Sequence, residues 1–170
     1  MKVDVRSGLA LLLMLLAGPT SAQTEPARDL HAYWHDRCLP CHAEAGAFAR
    51  STLAVVDGRL VGRHHRADLD KFLHQHYLAA DLVAPVTAML SAQAVTAPMF
   101  KEQCGGCHGS AAEFARQSLI VEGGVLKGRK SATAVANYLG RHGGLAPADV
   151  PAMVKTLERV VAEVGEGRAR

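Results

Sequence analysis

Apolar residues recur along much of the chain with the spacing of an α-helix. In ADLDKFLHQHY, residues 67–77, four side chains fall at i, i+3, i+4 and i+7 and so share one helical face. These residues are Leu69, Phe72, Leu73 and His76. The same stripe returns in residues 133–142 as Val135, Tyr138, Leu139 and His142. Both segments are therefore predicted to be helices with a histidine near the end.

Helices are also predicted before and after these two segments. The pattern favours short helices at 30–38 and 98–104 and longer closing helices at 81–92 and 148–164. The glycine-rich segments DGRLVGR and GGVLKGR are interpreted as turns or short extended stretches. No segment alternates apolar and polar residues over enough positions to build a sheet, so the predicted fold class is all-α.

The second half of the chain repeats the first half at an offset of 66 residues. Aligning residues 34–91 with residues 100–157 without a gap gives about 17 identities in 58 positions, where chance would give a handful. A period this long is not that of a solenoid. It predicts two small domains in tandem, residues 27–94 and 95–165, which join near the point where SAQAVTAP loses the apolar pattern.

The N-terminus has the three parts of a secretory signal peptide. Lys2 and Arg6 make it positive, Leu9–Ala17 is an apolar run, and Thr20–Ala22 is a small-residue cleavage site. The run of about nine residues is shorter than the ~20 that a membrane span needs. We expect residues 1–22 to be removed near Ala22 and the protein to be periplasmic. The alternative is an uncleaved membrane anchor.

Charge and hydropathy argue against nucleic-acid binding and against a membrane-spanning segment after the signal peptide. The net charge is +3, and the basic residues are scattered singly rather than gathered into a nucleic-acid-binding arm. No segment after the signal peptide is apolar enough to span a bilayer. We therefore expect neither a nucleic-acid partner nor a transmembrane segment after signal cleavage.

All four cysteines lie in two copies of one pentapeptide. CLPCH begins at Cys38 and CGGCH begins at Cys104. Cys-x-x-Cys-His is the attachment motif of haem c, in which two thiols form thioethers to the porphyrin and the histidine binds iron. The thioether residues would be Cys38, Cys41, Cys104 and Cys107, and the proximal iron ligands would be His42 and His108. Two covalent haems c would also supply the core mass that two units of about 70 residues lack.

Three other uses of these cysteines fit the sequence less well. A zinc site would place its second Cys-x-x-Cys pair about 15–20 residues after the first, but here 62 residues intervene. A thioredoxin-like redox pair would follow a strand in a βαβ unit, and no such unit is predicted. Two local disulfides would leave both histidines without a role.

A second iron ligand shared by both units should occupy equivalent positions in the repeat. His76 and His142 are the one pair of histidines outside the pentapeptides that align. The methionines do not align with each other, since Met89 aligns with Lys155 and Met153 with Thr87. The prediction is bis-histidine ligation, His42 with His76 and His108 with His142. The alternative is that His76 and His142 only stabilise helix C-termini.

Other repeated residues are predicted to form the surroundings of the haems. Arg63 and Arg129 are candidate partners for haem propionates, or else solvated arginines after a glycine turn. Several apolar pairs are predicted to form the pocket walls. These are Phe48 and Phe114, Leu53 and Leu119, Leu60 and Leu126, Phe72 and Tyr138, and Leu73 and Leu139.

The chain resembles the class I c-type cytochromes, and specifically their tandem two-haem periplasmic members. The resemblance rests on CLPCH and CGGCH near the start of each unit and on the closing segments HYLAADLVAPVTAML and HGGLAPADVPAMVKTL. It implies two tandem cytochrome c-like helical domains, each wrapped around one covalently attached haem. In that family a methionine usually binds iron just before the closing helix, and here His76 and His142 take that place.

These observations predict an exported two-haem electron carrier that exchanges single electrons with redox proteins in the periplasm or at the membrane surface. A second hypothesis is a haem enzyme or gas sensor with an open or labile sixth site on one iron. A third is an electron-transfer subunit of a larger oxidoreductase. No constellation specific to a peroxidase or dehydrogenase is present, so a carrier is favoured over an enzyme.

Overall fold

A computed structural model describes residues 28–142 and 144–165. The predicted signal peptide, residues 1–22, lies outside these residues. In the first half of the chain the elements are α1 (Leu30–Arg37), α2 (Leu39–His42), α3 (Ala45–Thr52), β1 (Leu53–Val56), β2 (Arg59–Gly62), α4 (Leu69–Leu73) and α5 (Ala80–Val95).

The second half repeats this order. Its elements are α6 (Met99–Gln103), α7 (Gly105–His108), α8 (Ala111–Ser118), β3 (Leu119–Glu122), β4 (Val125–Gly128), α9 (Val135–Leu139), a 3₁₀ turn (Pro147–Asp149) and α10 (Val150–Glu163). Two of the helices start at clear N-caps. The Asp29 carboxylate accepts a hydrogen bond from the Ala32 amide at 2.8 Å, and the Ser110 hydroxyl accepts one from the Glu113 amide at 3.1 Å.

The prediction of an all-α fold is wrong, because each half contains an antiparallel β-hairpin. Leu53 pairs with Gly62 in one hairpin, and Leu119 pairs with Gly128 in the other. The turns are Asp57-Gly58 and Gly123-Gly124, and all four of these residues have positive φ. Such two-residue turns match the twist of the flanking strands. Strands of four residues are too short for their alternation to show, and the fold is mixed α and β.

The predicted helices that carry the second histidine pair are too long. α4 ends at Leu73 and α9 at Leu139, so that His76 and His142 lie in the turns that follow. Their amide groups make 3₁₀-type bonds, from His76 to the Leu73 carbonyl at 3.2 Å and from His142 to the Leu139 carbonyl at 3.4 Å. Each histidine still stacks on the stripe residue four positions before it, His76 on Phe72 with ring centroids 4.5 Å apart and His142 on Tyr138 at 4.7 Å.

Buried apolar residues form two clusters, one in each half of the chain. In the first cluster α5 packs on α3 and on the β1–β2 hairpin, and in the second α10 packs on α8 and on the β3–β4 hairpin. The predicted domain boundaries, 27–94 and 95–165, remain a prediction, although each half has a core of its own. Within the described residues no helix has both the length and the apolar character needed to cross a membrane.

The closing helices show that the offset of 66 does not hold to the end of the repeat. The buried positions of α5 match those of α10 at an offset of 71 (153 minus 82, and likewise for the others). The matched pairs are Leu82 with Met153, Val86 with Leu157, Met89 with Val160 and Leu90 with Val161. The second half therefore carries five extra residues between His142 and α10. The gapless alignment is wrong for the closing helices, and with it the pairings of Met89 and Met153.

Polar contacts join the two halves around α1. The Arg116 guanidinium donates to both Asp29 carboxylate oxygens, at 2.6 and 3.0 Å. His31 Nε2 lies 2.8 Å from a carboxylate oxygen of the buried Glu163, and Arg159 donates to the other oxygen at 2.6 Å. Asp29 and His31 align with Val95 and Ala97 in the repeat, whose side chains cannot form such polar pairs. The polar contacts are therefore specific to the interface between the halves and are not part of the duplicated unit.

The ion pair of Asp29 stabilises the contact at neutral pH. Burial raises the pKa of Asp29, but hydrogen bonds from Arg116 and from the Ala32 amide outweigh burial, so that its pKa lies below the ordinary value. A carboxyl group whose pKa is lowered by folding contributes stability above its unfolded pKa. That contribution is lost as the pH falls through the lowered pKa of the folded state, in the acid range below about 4.

Candidate functional site

Each Cys-x-x-Cys-His motif lies on one short helical turn. Cys38 ends α1 and precedes α2, and the His42 amide donates to the Cys38 carbonyl at 2.9 Å. Cys104 holds the same position between α6 and α7, where the corresponding bond from His108 is 3.0 Å. Residues three apart on such a turn share a face. The fold therefore presents the two thiols of each motif to one side.

The four cysteines form no disulfide with one another, and they differ in exposure within each motif. Cys38 and Cys104 are half-buried, whereas Cys41 and Cys107 are exposed. Burial raises the pKa of the Cys38 and Cys104 thiols, because a thiolate would lose its hydration there.

The residue after each motif histidine adopts a backbone conformation that favours glycine. Ala43 has φ 59° and ψ −166°, and Gly109 has φ 67° and ψ −136°. In the first half the Trp34 indole N–H donates to the Ala43 carbonyl at 2.9 Å and so holds the strained residue. In the second half Phe100 replaces the tryptophan, and the glycine has no strain to be held.

Replacing Gly109 with alanine is expected to destabilise the protein by about 1–3 kcal/mol, because the backbone conformation penalises any Cβ. The new Cβ would also lie 3.0 Å from a Glu113 carboxylate oxygen. Ala43→Gly removes the same strain and should be neutral or stabilising. Ala47→Gly, at an exposed position in α3, should cost about 1 kcal/mol. Urea unfolding measures all three, and a destabilising Ala43→Gly as large as Ala47→Gly would contradict the assigned strain.

The structure brings each motif histidine close to the second histidine predicted for its half. The ring centroids of His42 and His76 are 5.8 Å apart with an interplanar angle of 65°. Those of His108 and His142 are 5.9 Å apart at 64°. Two imidazole nitrogens bound at about 2 Å to opposite sides of one metal place their ring centroids about 6 Å apart. Both histidine pairs therefore have the separation that one iron between them requires.

The second half contains a cavity that joins all four predicted haem-binding residues. Its volume is about 620 Å³, within the range of cofactor pockets. Cys104, Cys107, His108 and His142 line it. Its other walls are mostly apolar and include Phe100, Phe114, Leu119, Tyr138, Leu139, Leu145, Met153 and Leu157. An apolar cavity with two thiols and two imidazoles fits the shape and chemistry of a covalently attached porphyrin.

A repeated aromatic contact positions each motif histidine. His42 packs against Phe48 with ring centroids 4.6 Å apart, and His108 packs against Phe114 at the same distance. Burial, with His76 as a second cause, lowers the pKa of His42. The neutral imidazole is the form that coordinates a metal. Phe48 and Phe114 therefore pack on the motif histidines, and Phe114 also lines the second-half cavity.

Arg63 and Arg129 donate to backbone carbonyls where helix meets hairpin. Arg63 donates to the Ser51 carbonyl at 3.3 Å, and Arg129 donates to the Leu119 carbonyl at 2.8 Å. Positive charge is favourable at a helix C-terminus. These contacts account for the repetition of the two arginines by the local fold, and their predicted pairing with propionates remains a prediction.

Two features of the site are not found by the sequence pattern. Met153 lines the second-half cavity and is fully buried. The gapless alignment pairs it with Thr87, although its structural counterpart in the first half is Leu82. The Tyr138 hydroxyl lies 3.3 Å from His142 Nδ1, although the repeat predicts this residue only as wall. Helical spacing within residues 150–164 would have located Met153 on the buried face.

Comparison with known proteins adds no further identification. The chain matches no protein family, and no similar curated protein or solved structure was found. Among the described residues no group of three or more histidine, cysteine or acidic side chains is arranged to hold a metal ion by itself. Each half instead contains a pair of neighbouring imidazoles together with the two cysteines of one motif.

Proposed function

We propose that this protein is an exported c-type cytochrome that carries single electrons on two covalently bound haems. The observation that carries the proposal is the duplicated pairing of His42 with His76 and of His108 with His142 at nearly equal separation and angle. Each pair lies beside a Cys-x-x-Cys motif. Most aligned positions of the repeat have diverged, yet both halves keep this pair of histidines and its geometry.

The chain's residues would hold the two haems in the same way in both halves. Cys38 with Cys41, and Cys104 with Cys107, would form the thioether bonds. The motif histidines would bind iron on one side and His76 or His142 on the other. Bound haem c supplies a one-electron couple, and two imidazoles predict lower potentials than a methionine ligand does.

Export and partner follow from the same proposal. A Cys-x-x-Cys pair in an oxidising compartment is kept from disulfide formation when its sulfurs are bound to haem. The predicted signal peptide is consistent with attachment after export to the periplasm. The partners would be redox proteins there or at the membrane surface, either as separate molecules or as other subunits of a larger oxidoreductase.

A second function is favoured by one difference between the halves. His142 is exposed, whereas His76 is half-buried, so small molecules in solution reach the His142 ring more easily. The second half could then bind a small gas molecule at iron and act as a sensor or enzyme. Carbon monoxide binding to the reduced protein separates the two functions, since two firmly held ligands resist it.

The proposal predicts two haems per chain, both low-spin in the oxidised state. Denaturing mass spectrometry of the mature protein, made in a host that attaches haem c, should show the polypeptide mass plus two haems. Electron paramagnetic resonance should show two low-spin signals from bis-imidazole ligation. An unmodified mass in a folded protein would contradict the function.

A further inference from the structure

The two predicted distal histidines differ in one hydrogen bond. In the second half the Tyr138 hydroxyl lies 3.3 Å from His142 Nδ1. A ring nitrogen engaged in this bond leaves Nε2 as the one that can bind a metal. With Nε2 bound to iron, Nδ1 carries the proton and donates a hydrogen bond to the tyrosine oxygen.

The first half has the same ring arrangement without the hydroxyl. Phe72 stacks on His76 with centroids 4.5 Å apart at 26°, and Tyr138 lies on His142 at 4.7 Å and 32°. Within the described part of the chain, the His76 ring contacts the rings of His42, Phe72 and Tyr77 but makes no side-chain hydrogen bond. Phe72 and Tyr138 are aligned in the repeat. The aromatic residue that stacks on the second histidine therefore differs between the halves by a single oxygen atom.

We propose that Tyr138 is a positioning residue for His142 and that its hydroxyl makes the two iron sites unequal. A hydrogen bond donated by the free nitrogen of a metal-bound histidine fixes the ring and raises its basicity as a ligand. A more basic ligand stabilises the oxidised iron, which carries the greater positive charge. The second half should then have the lower reduction potential. This inference depends on the proposed function.

Unequal potentials would give the two halves different roles. A protein that has taken up one electron would hold it mainly in the first half, where the ligand His76 lacks this hydrogen bond. The greater exposure of His142 acts in the same direction, because solvent also stabilises the more highly charged iron. The experiment must therefore change the hydroxyl and leave the exposure as it is.

Reciprocal exchange of the two aromatic residues isolates the hydroxyl. Potentiometric titration of the holoprotein, followed by the absorption of reduced haem, should resolve two potentials in the wild type. Tyr138→Phe is expected to raise the lower potential, and Phe72→Tyr to lower the higher one. Each substitution therefore reduces the difference between the two reduction potentials. Tyr138→Phe should also weaken the hold on His142, with carbon monoxide affinity in the second half rising about 10-fold.

Tyr77→Phe is the matched control. This tyrosine touches the His76 ring edge-on at 5.4 Å and is 91% exposed, so loss of its hydroxyl should move neither potential. Unchanged potentials in a low-spin Tyr138→Phe protein would overturn the inference and leave the proposed function standing. High-spin iron in Tyr138→Phe with low-spin iron in His142→Ala would make Tyr138 the ligand, and would also overturn it. Absence of haem from the wild type would contradict both.

Discussion

Replacing Cys104 and Cys107 together with alanine is expected to remove one covalent haem and to unfold the second half. The cavity of about 620 Å³ in this half is surrounded by its main core residues. Bound haem would cover the apolar walls of this cavity, and each large apolar side chain contributes about 1.5–3 kcal/mol when it is buried. Leaving two or three of them exposed to water would remove about 5 kcal/mol, which equals the whole stability of a small domain.

Denaturing mass spectrometry measures the loss of haem from this double variant, and circular dichroism during thermal unfolding measures the loss of structure. Cys38→Ala with Cys41→Ala is the matched variant in the first half and should remove the other haem. Ser110→Ala, which removes only a helix cap near the second motif, should keep both haems and cost about 1 kcal/mol. Retention of two covalent haems by either double variant would contradict thioether attachment.

Replacing His142 with alanine is expected to turn one of two low-spin haems high-spin, because the ring 5.9 Å from His108 is removed. His76→Ala should do the same in the first half. Electron paramagnetic resonance of the oxidised proteins distinguishes the spin states and counts the irons affected. The reduced variants should also bind one carbon monoxide per chain, which the wild type resists.

His74→Ala is the control for the first half, since His74 is exposed and lies 3.8 Å from the Asp70 carboxylate. It should leave both haems low-spin. In the second half Met153 is a cavity-lining side chain that could replace a lost ligand, so His142→Ala is also made with Met153→Leu. A fully low-spin spectrum in that double variant would refute His142 as the ligand.

Local chemistry decides some of the helices. Residues 30–38 are predicted to be a short helix, and α1 spans Leu30–Arg37. The hairpins were missed because strands such as Leu53–Val56 are too short for their alternation to stand out. Their two-residue turns, Asp57-Gly58 and Gly123-Gly124, contained the available signal.

The candidate iron ligands follow from the duplication. His76 is predicted to be a ligand because His142 occupies the equivalent position in the repeat, and the structure brings each of them close to a motif histidine. The same gapless comparison failed after His142, where five extra residues displace α10 and misalign Met153. An insertion of five residues leaves the helical pattern of α10 intact, but it changes which side chains of α10 correspond to those of α5.

Residue identity and spacing along the chain are enough to reveal the duplication and to suggest the proposed haem attachment. In both copies Cys-x-x-Cys-His places two thiols and an imidazole on one helical turn. Which groups meet across the fold depends instead on how the elements pack. The approach of His142 to His108 and the pairing of Asp29 with Arg116 join residues from separate elements. Such contacts depend on how helices and hairpins pack around a shared core, and no local pattern records that packing.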